Sequence, residues 1–180
     1  MLGLSALSPD PSAYRYGQNH DARNEIETME KNVFVQSFSE KYIDQFVNVV
    51  DEYRKFCGFN VSPEATKEFF INLHKENKAA TFIAISEEDE VMGFINLYPL
   101  YSTISLRKIW ILNDIGVSSK FRRLGVAQAL IKKSIEFAKK SGAIRIELKT
   151  AKTNSNAQKL YSEIGFQTDQ DNIYYRVPIE

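Results

Sequence analysis

The sequence predicts an α/β (α+β) domain, a mixed sheet with helices on both faces. Three observations carry this. Strand and helix patterns follow one another in the order βα-α-βββ-αβ-αβ(β), the alternation of a layered α/β chain and not of a bundle or a sandwich. Two strand-like runs, 80–86 and 91–98, are separated only by the acidic turn Glu87–Glu90, so they form an antiparallel hairpin. In the second half, helices with one apolar face alternate with short strands.

Residues 1–28 are rich in Ser, Pro, Asn, Asp and Gly and show no stable apolar period, so they read as a flexible N-terminal extension. The working domain is 30–180. Residues 32–38 alternate as a strand, and Ser39 caps a helix that places Tyr42, Ile43, Phe46, Val50 and Tyr53 on one face and ends near Gly58. Ser62, Pro63 and Glu64 read as N-cap, first-turn proline and first-turn acid of a second helix through Phe69, Phe70 and Leu73. After the hairpin, 109–117 is mostly apolar, as expected of a strand buried on both faces. A loop, 118–124, enters a helix whose positions Ala127, Leu130, Ile131, Ser134 and Ala138 share a face, and Gly142 ends it. Residues 144–148 form a short strand. Asn154 or Ser155 starts a last helix through Ala157, Leu160, Tyr161 and Ile164 that stops at Gly165. In the tail, turn residues 169–172 separate two extended pieces.

Length and composition restrict the function. A chain of 180 residues, 43% hydrophobic and 26% charged, builds one core. Its apolar runs stop well short of the roughly 18 residues a membrane-spanning helix needs, and no signal peptide is visible, so a cytoplasmic protein without a membrane partner is expected. One cysteine, Cys57, and two histidines, His20 and His74, exclude an internal disulfide and a Cys/His zinc set, so no metal is expected. Cys57 reads as a small buried side chain, and both histidines as surface residues. Basic and acidic residues balance at 23 each, but 118–140 carries seven bases against the single acid Glu136. That stretch invites an anion.

Within it, the loop Lys120-Phe121-Arg122-Arg123-Leu124-Gly125-Val126-Ala127 lies between a buried strand and a helix start. Free N–H groups and the positive end of the helix dipole can hold a phosphate there. Gly125 and Ala127 keep bulk away from the main chain, and Arg122 and Arg123 add charge. Neither GxxxxGK[ST] nor GxGxxG occurs, which excludes the two best-known phosphate loops.

Arg122-x-x-Gly125-x-Ala127 matches the signature [QR]-x-x-G-x-[GA]. With Ile115-Gly116-Val117 before it and Asn154-x-x-Ala157-x-x-Leu160-Tyr161-x-x-x-Gly165-Phe166 after it, the chain resembles the GCN5-related N-acetyltransferases (GNAT) over about residues 30–180. Trp110-Ile111-Leu112-Asn113-Asp114 is similar to the histone-tail and polyamine branch. The resemblance implies a largely antiparallel sheet of about six to seven strands, splayed at the fourth. It implies acetyl-CoA as donor, with its pyrophosphate on the backbone of Arg122, Arg123, Leu124, Gly125, Val126 and Ala127 and its pantetheine along the main chain ending at Val117. An N–H near Ile115 would face the thioester oxygen, Asn154 would bond the pantetheine, and Tyr161 would protonate the leaving thiolate.

The acceptor the resemblance implies is a primary amine (a polyamine, another small amine or a peptide lysine), and a cationic one is expected because in that fold the acids Asp51, Glu52 and Asp114 would border its channel. Asp114 is the preferred base, Glu52 the other candidate, and Tyr98, Tyr101 and Trp110 could wall the pocket. The leading reading is direct acetyl transfer to a primary amine in a ternary complex, and a homodimer is left open. The alternative is a non-catalytic acyl-CoA-binding domain on the same fold. A nucleic-acid module is disfavoured, because only Phe121 and Phe137 interleave the basic stretch.

Overall fold

The first element of the described residues is a short strand, β1 (Phe34–Ser37), in which Val35 turns to the core and Phe34 stays exposed. A single 3-10 turn, Glu40–Tyr42, then feeds helix α1 (Ile43–Phe56). Pro63 occupies the first turn of α2 (Pro63–Lys75), where its missing N–H costs no hydrogen bond. Three strands follow as a meander: β2 (Ala80–Ile85), β3 (Val91–Ser102) and β4 (Arg107–Val117). The second half supplies α3 (Val126–Lys140), β5 (Ile146–Leu148) and α4 (Ser155–Ile164). These elements come from a computed structural model that describes residues 33–179. The extension assigned to 1–28, with His20, lies outside the described residues.

The sheet order is β1-β2-β3-β4-β5, with every neighbouring pair antiparallel except β4 and β5. Helices cover both faces. On one face Phe46, Val50, Phe70 and Leu73 of α1 and α2 pack on Ile83, Ile85 and Phe94. On the other, Val126, Leu130, Ile131 and Ala138 of α3 and Tyr161 of α4 pack on Phe82, Ile95, Leu97, Trp110 and Leu112. The α3 stripe begins at Val126, fully inside, while Ala127 is half-buried.

The sheet is splayed at its fourth strand. β4 pairs with β5 only through Trp110, Ile111 and Leu112, yet runs on to Val117. The expectation of burial on both faces therefore holds for the first half of β4 alone: Ile109, Trp110 and Leu112 are buried, whereas Ile115 and Val117 are half-exposed beyond the last pair.

Five strands form among the described residues, fewer than the six to seven expected. The turn in the tail is present, with Asp169 Oδ1 accepting N–H bonds from Asp171 (2.9 Å) and Asn172 (3.1 Å). Its flanks do not join the sheet. β5 offers an edge only three residues long, and Pro178 lacks the N–H that a ladder needs. Two single-residue expectations also change. Cys57 is exposed, because it falls at the C-cap of α1 past the packed face. His74 is half-buried, stacked on Phe38 at 4.4 Å, and burial pushes its pKa down.

Candidate active site

A bulge in β4 decides which side chains meet here. Asn96 pairs with Asp114 but Leu97 pairs with Leu112, so Asn113 is an extra residue in the ladder. Without it, the two-residue period would turn Asp114 to the same face as Leu112. With it, Asp114 lies on the α1 face and Ile115 and Val117 on the α3 face.

The main chain follows a second alternation. Ser118 N–H donates to Met92 O on β3 (2.9 Å), and Trp110 N–H donates away from β3 to Arg145 O (3.1 Å). In an antiparallel ladder these directions alternate, so the N–H and C=O of Ile115 and Val117 point away from β3. β5 has ended at Leu148, so no strand meets them. Ile115 and Val117 therefore present an open stretch of backbone.

The same stretch leads into the loop before α3. Its chain turns through two left-handed residues, Arg123 (φ 63) and Gly125 (φ 76), the latter at the N-cap of α3. The first intrahelical bond is Ala129 N–H to Gly125 O (3.0 Å). The N–H groups of Val126, Ala127 and Gln128 precede it and find no acceptor among the described residues. Arg122, Arg123 and Leu124 are exposed, and the Val126 side chain is committed to the core, so Val126 can offer a ligand its main chain only. Backbone donors, helix dipole and two guanidinium groups fit a phosphate.

On the α3 face, in the cluster against which Ile115 and Val117 pack, Tyr161 is 9% exposed, edge-on to Phe166 at 5.8 Å, and burial pushes its phenol above the usual range. Asn154 caps α4 through Oδ1, which accepts the Ala157 N–H at 3.2 Å. Its Nδ2 has no partner among the described residues.

Asp114 occupies a polar niche under α1. Asn113 Nδ2 donates to its Oδ2 (2.7 Å), and the Tyr53 hydroxyl lies 3.4 Å from Oδ1. Tyr53 reaches it because residue 116 is glycine: a Cβ there would stand 2.6 Å from Phe94 Cε1 and 3.1 Å from Tyr53 Cβ. Burial first, and the Asp114 charge second, push the Tyr53 phenol well above its usual range. Tyr98, opposite Ile111, is raised by burial, lowered in part by Asn96 and raised again by Asp114. Both phenols stay neutral at physiological pH and present one carboxylate with polar neighbours. Sequence reasoning missed Tyr53 as a site residue, since a tyrosine closing an apolar helix face reads as core.

The other acids sit elsewhere. Asp51 does not border the channel: it is buried between α1 and α2, accepting from Thr66 Oγ1 (2.6 Å) and Arg54 Nη1 (3.1 Å). Glu52 faces the loop, its Oε1 accepting the Ser119 N–H at 2.7 Å. Among the aromatic residues, Trp110 is on the opposite face, against Phe137 and donating to Ser141 Oγ (2.8 Å), and Tyr101 is out on the β3–β4 hairpin opposite Lys108. Tyr98 alone remains beside Asp114.

Residues 46–166 match the acetyltransferase (GNAT) family, to which the chain belongs. It is 30% identical over 125 residues to an uncharacterized N-acetyltransferase of Bacillus subtilis, covering 69% of this chain and 83% of that one. It is 31% identical over 144 residues to a thialysine N-epsilon-acetyltransferase of Caenorhabditis elegans, covering 76% and 84% respectively. A crystal structure described as a probable acetyltransferase superposes with a TM-score of 0.78 at 32% identity, covering 82% of this chain and 98% of the other. No helix among the described residues is long and apolar enough to cross a membrane.

Proposed function

We propose that this chain transfers acetyl from acetyl-CoA directly to a small cationic primary amine. The observation that carries the reading is the second half of β4: its open main chain leads into a loop of unpaired backbone N–H donors on one side, and its bulge turns Asp114 to the other. Acetyl-CoA supplies the acetyl group as a thioester with a thiolate leaving group. The Arg122–Ala127 backbone holds the donor's phosphates, and the main chain of Ile115 and Val117 aligns its arm. The Ile115 N–H is aimed where the thioester oxygen gathers negative charge, a contact worth about 3 kcal/mol in such sites. Tyr161 keeps a proton for the departing sulfur.

On the acceptor side the chain must favour a neutral amine. A lysine-like group with pKa near 10.4 is neutral in about one molecule in 2,500 at pH 7, a cost near 4.6 kcal/mol. Asp114 attracts the cation and, directly or through a water, accepts its proton. The similarity to an enzyme named for thialysine supports an amine on a short aliphatic arm.

Release of free thiol from acetyl-CoA, followed with spermidine, lysine, thialysine, a lysine peptide and an uncharged amine, tests the reading. Turnover is expected with the cationic amines. Inert cationic amines beside an active uncharged one would refute the acceptor assignment. Donor binding without thiol release for any amine would favour the non-catalytic acyl-CoA-binding alternative. Asp114→Asn is expected to raise KM for spermidine by about tenfold or more, since it removes the charge facing the cation. An unchanged KM would remove Asp114 from the acceptor site.

A further inference from the structure

We propose that Glu52 is a positioning residue for the donor loop and takes no part in binding the amine. The inference rests on the donor assignment above. Glu52 and Tyr53 are consecutive on α1 and so point about 100° apart around the helix. Tyr53 turns to Asp114, whereas Glu52 turns to the start of the loop. There its Oε1 accepts the Ser119 N–H at 2.7 Å, closing a contact between residues 67 apart in sequence.

The same oxygen stands 4.0 Å from Arg122 Nη2, too far for a strong bond but near enough to orient the guanidinium along the loop. Burial opposes the charge on Glu52, but the Ser119 N–H, the nearby Ser119 and Ser118 hydroxyls and Arg122 outweigh it and hold the carboxyl below its usual range. The carboxylate is therefore already engaged by loop donors. Other contacts also hold the loop, among them Ser118 N–H to Met92 O (2.9 Å), Lys120 Nζ to Glu90 Oε2 (2.6 Å) and Phe121 packed on the core. Losing Glu52 should loosen its placement without unfolding it.

The position of the loop matters because the phosphate donors are backbone groups. An N–H shifted by an ångström cannot be recovered by rotating a side chain. Glu52→Ala removes the anchor, and coenzyme A should bind about 5- to 50-fold more weakly, the span for one charge-assisted hydrogen bond at a half-exposed site. Glu52→Gln keeps an oxygen for the Ser119 N–H and removes a negative charge beside the anion site, so affinity should match the wild type or exceed it. Ser119→Pro removes the donating N–H at the first residue of a 3-10 turn, a position that tolerates proline. It should weaken coenzyme A as Glu52→Ala does, and the double variant should be no weaker than about twofold beyond either single change.

Titration calorimetry with coenzyme A, together with KM for spermidine at saturating acetyl-CoA, reads all of these. Rescue by glutamine and non-additivity with proline would support the positioning role. If Glu52→Ala and Ser119→Pro bind coenzyme A like the wild type, the inference is wrong while the donor assignment stands. If the alanine and glutamine variants both raise the spermidine KM and leave coenzyme A affinity unchanged, Glu52 is an amine-binding residue instead. A wild-type chain that binds no coenzyme A would remove the donor assignment and this inference together.

Discussion

Tyr161→Phe should lower kcat by about 10- to 1,000-fold, the usual span for losing a general acid or its hydrogen bond, while KM for acetyl-CoA changes little. The position makes this a clean experiment. Tyr161 is buried at the joint of α4 with the α3 face, and phenylalanine fills the same volume against Phe166. Among the described residues its hydroxyl has no hydrogen-bond partner, so removing it leaves none of them stranded. Burial raises the phenol's pKa, so the proton is in place throughout the physiological range; the phenol is then a weaker acid than a thiol, so the transfer to the departing sulfur is uphill and is completed when solvent returns a proton to the phenolate. Stopped-flow thiol release would check it. Full turnover in the variant would mean that solvent protonates the sulfur and the tyrosine only packs.

That a tyrosine stands at this place was legible because three spaced motifs agreed, each anchored on something a sequence displays. Gly125 and Gly165 mark left-handed turns, Asn154 is a helix cap, and the apolar faces of α3 and α4 have the helical period. Features that depend on strand partners were not legible. The bulge at Asn113 adds one residue to a ladder, and only the register with β3 reveals it, although it decides the face on which Asp114 lies. Glu52 reads as an acceptor acid because the resemblance puts its helix beside the acceptor channel, but its partner is a backbone N–H far along the chain. Ile173, Tyr175, Val177 and Ile179 alternate as a strand would and all stay exposed, since alternation shows only that a segment could pair. Asp51 and Cys57 exchanged their expected places for the same reason: burial on a helix depends on which neighbour covers it, and α2 covers the side that carries Asp51.

The strongest loss of donor binding is expected at Gly125, where replacement by valine should weaken acetyl-CoA by more than about 100-fold, because both the loop conformation and the phosphate's path to the backbone are disturbed. Gly125 has φ 76 and ψ 0 at the N-cap of α3. An L-residue there costs about 1–2 kcal/mol, and a β-branched one lies toward the upper end. That strain alone should lower Tm by about 2–8 °C in a domain of this size, so a control is needed that carries the strain without the anion site. Gly142 separates the two. It lies just past the other end of α3 with φ 73, and a Cβ added there meets nothing within 4 Å. Gly142→Val therefore carries a similar backbone penalty with no anion site beside it. Both variants should melt a few degrees early, and only Gly125→Val should fail to bind acetyl-CoA by calorimetry. Equal affinities in the two would place the donor's phosphates somewhere other than the start of α3.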